Sequence, residues 1–316
     1  MRVVILGKGL MLANIVLGTI YAGADIVGVF RYEQTCTNPI KLLIQDIFNP
    51  PPEVSLFKQL KLNQIRMKSA NSREFRKLLI NLNVDLVIIG SWKERIRKDT
   101  YDIPKIATIN VHPSLLPKYR GPNPYLQTIL NGETESGVTL HLLDDNYDSG
   151  AILAQEKIKI LNTDTSKELR ERSAITARKM ITDLIKDLDT KIITPIKQNE
   201  KYATYYPNIS GNEKMLDFKY QTSDEISRTI RALHPFLPTY ITHFDKFFIV
   251  NPYDFKIIDN DDETAIAGNI THKDSKTKSL TILCKDKKAI KFNNLKLYKS
   301  EHLTEKYIND KVRTIF

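Results

Sequence analysis

Cysteine is scarce in this 316-residue chain: Cys36 and Cys284 are too few and too far apart in sequence for a disulfide framework or a cysteine-based metal set. The six histidines show no metal-ligand spacing either, so no metal is implied. Long hydrophobic runs are missing, which leaves nothing near the ~20 apolar residues of a membrane span. No charged leader with an apolar core and a small-residue cleavage site opens the chain, and a cytoplasmic location is expected. Gly7-Lys8-Gly9 lacks the third glycine of a dinucleotide fingerprint, and no acidic residue closes the apolar run Ile26 to Phe30, so a nicotinamide cofactor is not implied. Acidic residues fall short as well. The 37 Asp and Glu against 47 Lys and Arg leave a formal charge of +10, which favours acidic ligands, a polyanion and a phosphorylated small molecule alike. From Thr271 to the end, 12 Lys and Arg face 5 Asp and Glu, a net of +7, with Lys285, Lys287, Lys288 and Lys291 close together. A solvated face and an electrostatic footprint for RNA account for that excess equally well.

What is present reads as two domains with cores of their own, in a chain of 41% hydrophobic and 27% charged residues. Val3 to Leu6 is a short apolar strand that enters a glycine turn and then a helix from about Leu12 to Tyr21, the opening of a βαβ unit. A helix over Ser72 to Asn81 leads into Asp85 to Gly90, an apolar run suited to a parallel strand buried on both faces. Thr108 to His112 is the next strand and stops at Pro113. The expected fold class is α/β, a Rossmann-like, mostly parallel sheet with helices on both faces. Glu33 to Pro52, with Pro39 and the triple proline ending at Pro52, is expected to be an irregular loop or lid. A helix from Thr165 to about Leu188 closes a first domain, 1–192. A linker rich in Tyr, Asn and Pro, 193–212, precedes a second domain, 213–316, that begins with a capped helix from Thr222 to Leu233. Short β-like runs then recur at Tyr240 to His243, Phe247 to Val250, Ala265 to Ile270, Leu280 to Lys285 and Ala289 to Phe292, which predicts a small all-β domain.

The chemistry is concentrated in Asn110, His112 and, beyond the strand-like Val138 to Leu143, Asp148. Side chains two apart on a strand share a face, so Asn110 and His112 project together while Val111 turns away. An amide donates to oxygen as negative charge builds on a carbonyl under attack, without changing its own protonation. An imidazole takes a proton from an attacking amine, and a carboxylate fixes its tautomer and stabilises the resulting cation. Those roles suit Asn110, His112 and Asp148 in turn. Ser114 has no evident base relay, which argues for direct transfer rather than a covalent intermediate.

The string from Asn110 through His112, Ser114-Leu115-Leu116-Pro117 and Arg120-Gly121, with Asp148 at its remove, resembles the signature of the folate-dependent formyltransferases. That family includes methionyl-tRNA formyltransferases and several amino-sugar formyltransferases. The resemblance implies that Asn110, His112 and Asp148 are the catalytic trio and that the loop of Ser114, Leu115, Leu116, Pro117, Arg120 and Gly121 shapes the substrate site. It also implies 10-formyltetrahydrofolate as co-substrate, seated against Ile89, Gly90, Ser91 and the lone Trp92, and against Leu142, Leu143, Asp144 and Tyr147. Ala203 to Ile209, Asp217-Phe218 and Thr229 to Pro235 are similar to the stretch by which such enzymes join a small C-terminal, OB-like β-barrel.

The acceptor implied is the amino group of methionyl-tRNA or of a nucleotide-linked amino sugar. Two features separate this chain from the usual tRNA-acting pattern. Gly7-Lys8-Gly9-Leu10-Met11-Leu12 stands where a Gly-Thr-Pro-x-Phe-Ala turn is commoner, and Glu33 to Pro52 carries Lys41 as its single cation where a lysine-rich loop is usual. The two-domain layout and the basic C-terminal segment suit RNA. A hydrolase that passes the formyl group to water, and a non-catalytic folate- or RNA-binding module, are the readings from other classes.

Overall fold

The computed structural model describes residues 1–190, 193–209, 216–243 and 246–297. The end of the expected linker, 210–212, and the part of the basic segment from 298 onward lie outside the described residues. The first strand, β1 (Arg2–Gly7), is buried from Val3 onward and feeds α1 (Gly9–Tyr21), after which β2 (Asp25–Arg31) returns parallel to it. Next come α2 (Glu33–Cys36), α3 (Pro39–Phe48), α4 (Pro52–Gln59), β3 (Gln64–Ile65) and α5 (Arg73–Asn81). They are followed by β4 (Leu86–Gly90), α6 (Lys98–Tyr101), β5 (Ala107–His112) and α7 (Pro124–Leu130). The antiparallel pair β6 (Glu135–Leu142) and β7 (Ile152–Lys159) precedes the long helix α8 (Ser166–Thr190).

The seven strands form one sheet in the order β3-β2-β1-β4-β5-β6-β7. The first five run parallel, and β6 and β7 extend the sheet antiparallel. Every residue of β4 is buried, as an inner parallel strand covered on both faces requires. The core beside it gathers Val4, Leu6, Phe30, Phe75, Leu79, Val87 and Ile89. This is the Rossmann-like α/β sheet expected.

The loop expected over Glu33 to Pro52 is instead largely helical. Its prolines start helices rather than interrupt them. Pro39 occupies the first turn of α3, where no intrahelical N–H is needed, and the Asn38 side chain caps that turn by accepting from the Ile40 and Lys41 N–H groups at 2.9 and 3.3 Å. Pro52 likewise occupies the first turn of α4, there without a side-chain cap.

Two compact units account for the chain. One comprises Met1–Pro124, Glu135–Lys159 and Arg170–Pro207, and the other Tyr125–Thr134, Ile160–Leu169 and Asn208–Phe316. In the second, α9 (Ser223–Leu233) carries a complete capping box in which Thr222 and Glu225 each satisfy the other's backbone N–H. Beyond it run β8 (Tyr240–His243), β9 (Lys246–Ile249), β10 (Phe255–Ile258), β11 (Ile270–Asp274), β12 (Ser279–Leu283), β13 (Ala289–Phe292) and β14 (Lys296–Leu297). They pair antiparallel in a four-stranded sheet, β10-β13-β12-β11, and a three-stranded sheet, β14-β9-β8, as a small β-barrel requires. Phe218, Ile226, Ile230, Ile241, Ile282, Ile290 and Phe292 make the shared core. The strand expected over Ala265 to Ile270 is absent, because Gly268 sits at φ +90° and the Ala265 and Asn269 N–H groups close turns onto Asp262 and Ile266; β11 starts only at Ile270.

Candidate active site

Sheet register does the first part of the assembly. Ile89 on β4, Asn110 on β5 and His141 on β6 lie side by side in one cross-strand row, and His112 lies opposite Thr139. Asn110, His112 and His141 therefore project from one face, with the two imidazole centres 6.4 Å apart. This row sits at the carboxyl end of the parallel strands, where open α/β sheets place their ligands.

Asp148 reaches the row from the turn after β6. Its backbone lies in the left-handed region, φ +54°, held by Gln198, whose amide donates 2.8 Å bonds to the carbonyls of Asp148 and Gly150. Gly150 must be glycine on steric grounds, since an added Cβ would stand 1.8 Å from the Leu142 carbonyl oxygen. One carboxylate oxygen, Oδ1, then accepts from Asn110 Nδ2 at 3.2 Å and lies 3.4 Å from His112 Nδ1. The other, Oδ2, accepts from the Gly121 N–H at 3.0 Å. The trio inferred from the sequence thus converges around one carboxylate.

The imidazoles have distinct settings. His141 Nδ1 lies 2.8 Å from the Leu142 carbonyl, so the proton belongs on that nitrogen and Nε2 accepts from Asn110 Nδ2 at 3.1 Å. At 3.8 Å from Asp148 Oδ1, His141 Nε2 is beyond a hydrogen bond. His112 Nε2 lies 2.9 Å from the Tyr119 carbonyl, while its Nδ1 faces Asp148, so both ring nitrogens look at acceptors. Burial pushes His112 below its ordinary value, against the opposing pull of Asp148 and the Tyr119 carbonyl. Burial by itself would raise Asp148, but the His112 ring and the Gly121 N–H hold its carboxyl well below the usual carboxylate range. The resting pair is an anion beside a neutral, buried base.

The loop of the signature string is pinned on both sides. Ser114 is buried and donates to the Lys118 carbonyl at 2.8 Å, and the Leu116 N–H donates to Thr139 Oγ1 at 3.2 Å. Leu115 fills the space that Gly137 leaves open. Pro117 and Arg120 tie to the segment before the second unit: the Thr204 N–H donates to the Pro117 carbonyl at 3.2 Å, and Arg120 meets Glu200 in a fork of 2.7 and 2.9 Å and Gln198 Oε1 at 2.8 Å. Gly121 adopts φ +112°, open to glycine, and this turns its N–H onto Asp148.

The candidate folate residues divide. Ile89 stands in the row beside Asn110, whereas Leu142 pairs with Ile109 and so belongs to the opposite face of the sheet. Gly90 is closed off by Ile15 and Met11, Ser91 is exposed at φ +58°, and Leu143 packs on the sheet core. Trp92 stands edge-on to Phe30 and Tyr32, at 5.0 and 5.2 Å, rather than against the trio, and its indole N–H is buried without a partner. Asp144 is engaged by the Ser149 hydroxyl at 2.7 and 2.8 Å, and Tyr147 is exposed. Sequence reasoning missed His141, whose one signal is a histidine of the right parity inside an apolar strand, and Gln198, for which the sequence offers none.

The sequence pattern that defines the formyl transferase family matches residues 1–185 of this chain. The chain belongs to the formyltransferase family. Methionyl-tRNA formyltransferase of Enterococcus faecalis is 29% identical over 298 residues, covering 93% of this chain and 90% of that one. Methionyl-tRNA formyltransferase of Natranaerobius thermophilus is 28% identical over 196 residues; the match spans 62% of this chain and 62% of that relative's length. Among solved structures, the N-formyltransferase from Helicobacter canadensis, in complex with folinic acid and dTDP-3-aminofucose, superposes with a TM-score of 0.64 over 94% of this chain and 99% of that one. At 19% identity that likeness speaks for the fold alone. No helix among the described residues is long and apolar enough to cross a membrane, and none of their His, Cys, Asp and Glu side chains group as metal ligands.

Proposed function

We propose that this chain transfers a formyl group from 10-formyltetrahydrofolate to a primary amine. The observation that supports this best is the Asp148 carboxylate seated between Asn110 and His112, at 3.2 and 3.4 Å, at the carboxyl end of β5. The buried Trp92 N–H without an acceptor, beside the turn from Ile89 to Ser91, fits a flat heteroaromatic ring that brings acceptors of its own. Of the candidates, Ile89, Ser91 and Trp92, with Leu142, Asp144 and Tyr147, would hold the folate, while Gly90 and Leu143 face the core. When bound, it supplies a formyl group already activated for transfer. His112 would accept the amine proton on Nδ1, directly or through water, while its Nε2–H stays on the Tyr119 carbonyl. Asp148 would receive the new Nδ1–H and stabilise the cation, and His112 would give the same proton up to the departing folate nitrogen as its bond to the formyl carbon breaks. Asn110 would donate to the formyl oxygen by giving up its bond to His141, which is weaker than its bond to the Asp148 anion. The working division places catalysis in 1–192, a linker in 193–212 and a small β-rich domain in 213–316, and a cytoplasmic location accompanies this reading.

The narrowly favoured acceptor is the amino group of methionyl-tRNA, because the Enterococcus faecalis relative matches 93% of this chain. A nucleotide-linked amino sugar is the second reading, favoured by α3, where Lys41 is the single cation in place of a basic loop. A reaction mixture of 10-formyltetrahydrofolate with both amines, analysed for which one becomes formylated, decides between them. Formate release with neither amine present would point to a hydrolase. Asn110→Ala is expected to lower turnover by about a hundred- to a thousandfold with the circular dichroism spectrum unchanged. Near-normal turnover would remove Asn110 from the reaction.

A further inference from the structure

Helix α3 is mounted inside out. Successive residues turn by about 100° around a helix, so Leu42 and Asp46, one turn apart, share one side, and Ile40, Leu43, Ile44, Ile47 and Phe48 share the opposite arc. The first side is anchored. Leu42 is buried, Asp46 forms a two-pronged ion pair with the buried Arg31 at the end of β2, and Lys58 donates to the Asp46 carbonyl. The opposite arc is apolar and open: Ile40 is 69% exposed, Leu43 48%, Ile44 52%, Ile47 58% and Phe48 82%. Because rolling the helix to bury these residues would strip Arg31 of its partner, the arc is held outward by the fold.

We propose that α3 is a self-association surface, on which a second copy of this chain seats its own α3 across a two-fold axis. The five side chains present roughly 600 Å² of apolar surface, at the upper limit of the largest patch on ordinary monomers. Two copies together would bury up to about 1,200 Å², the lower edge of a specific interface. The surface is self-complementary when the helices cross antiparallel: Leu43 and Ile44 meet their own mates at the centre, and Ile40 meets the far end of the facing helix. Lys41, exposed beside the arc at the amino end of α3, then lies near the facing helix's carboxyl end, where the helix dipole favours a cation. A lipid surface suits α3 less, since helices that lie on anionic membranes are rich in Lys and Arg and this one carries a single lysine.

Sedimentation equilibrium of the full chain at micromolar concentrations tests this. Wild-type protein is expected at twice the chain mass, and Ile44→Glu at the chain mass with the melting temperature retained, because Ile44 touches solvent rather than core. Leu43→Cys on a Cys36→Ser background is expected to form a disulfide-linked dimer on mild oxidation, while Lys77→Cys on the same background, at an exposed position of α5, stays single. A wild-type monomer throughout, a dimer indifferent to Ile44→Glu, or cross-linking no better at 43 than at 77 overturns the proposal. So does co-flotation of a monomeric wild type with phosphatidylglycerol vesicles, which would assign the face to lipid.

Discussion

At the scale of single residues, His112 carries the tension on which the proposed chemistry depends. A neutral imidazole can donate to the Tyr119 carbonyl or to Asp148, whereas the cation can donate to both. Burial opposes that cation and prevails, so the resting ring is neutral and its ordinary value of about 6.5 is displaced downward. Protonating the ring removes the base, so the acid limb of kcat/KM should fall below pH ~6.5. Asp148 pulls His112 upward. Asp148→Asn should therefore move the limb to still lower pH while cutting turnover, and pH profiles of the two proteins check it; a limb that stays or moves up sinks the assignment. Both groups have folded values below their unfolded ones, so their contribution to stability is present at neutral pH and lost on acidification. His112 begins to lose its share below about 6.5 and Asp148 below about 4. Denaturant midpoints taken from neutral toward acid pH should fall in that order.

At the scale of elements, what was legible is what local chemistry decides. The buried run of β4, the strand that ends at Pro113, and the Thr222–Glu225 box of α9 each carry their instruction within a few residues, and each forms where the pattern puts it. The alternation of Asn110, Val111 and His112 was enough to place two catalytic candidates on one face. The same local logic misled at α3, where Pro39 and the later prolines suggested a loop. That reading passed over the Asn38 cap, and the anchor lay out of its reach, because Arg31 and Asp46 are joined by the fold and not by spacing. Neither could the sequence show that Gln198 would brace the Asp148 turn from a distant segment. The anchor makes a sharp prediction of its own. Asp46→Ala leaves a buried guanidinium without its carboxylate, Arg31 Nε being already without a partner, and should cost about 3–5 kcal/mol. Urea denaturation measures it, and a loss under about 1 kcal/mol would mean that α3 is not held by this pair.

At the scale of the molecule, the formal charge of +10 bears on the acceptor, which the trio does not specify. Lys285, Lys287 and Lys288 stand on the exposed turn between β12 and β13, a turn fixed to the start of α9 by Asp286, which accepts from the Ser223 N–H at 3.0 Å and its hydroxyl at 2.7 Å. Lys287 is partly committed, donating to the Ala265 carbonyl at 2.9 Å. Lys285 and Lys288 are the better candidates for phosphate contacts. If the acceptor is methionyl-tRNA, each neutralised phosphate releases counterions, and the logarithm of affinity should fall with the logarithm of salt by about 0.7–0.9 per contact. A sugar nucleotide with two phosphates should show a shallow dependence. The double variant Lys285→Ala/Lys288→Ala should then flatten the salt slope for tRNA by about 1 for each lysine in contact, with turnover at saturating tRNA retained because neither residue belongs to the trio. A slope as shallow for tRNA as for the sugar nucleotide, unchanged in the variant, would make the basic turn a solvated face and shift the acceptor toward the amino sugar.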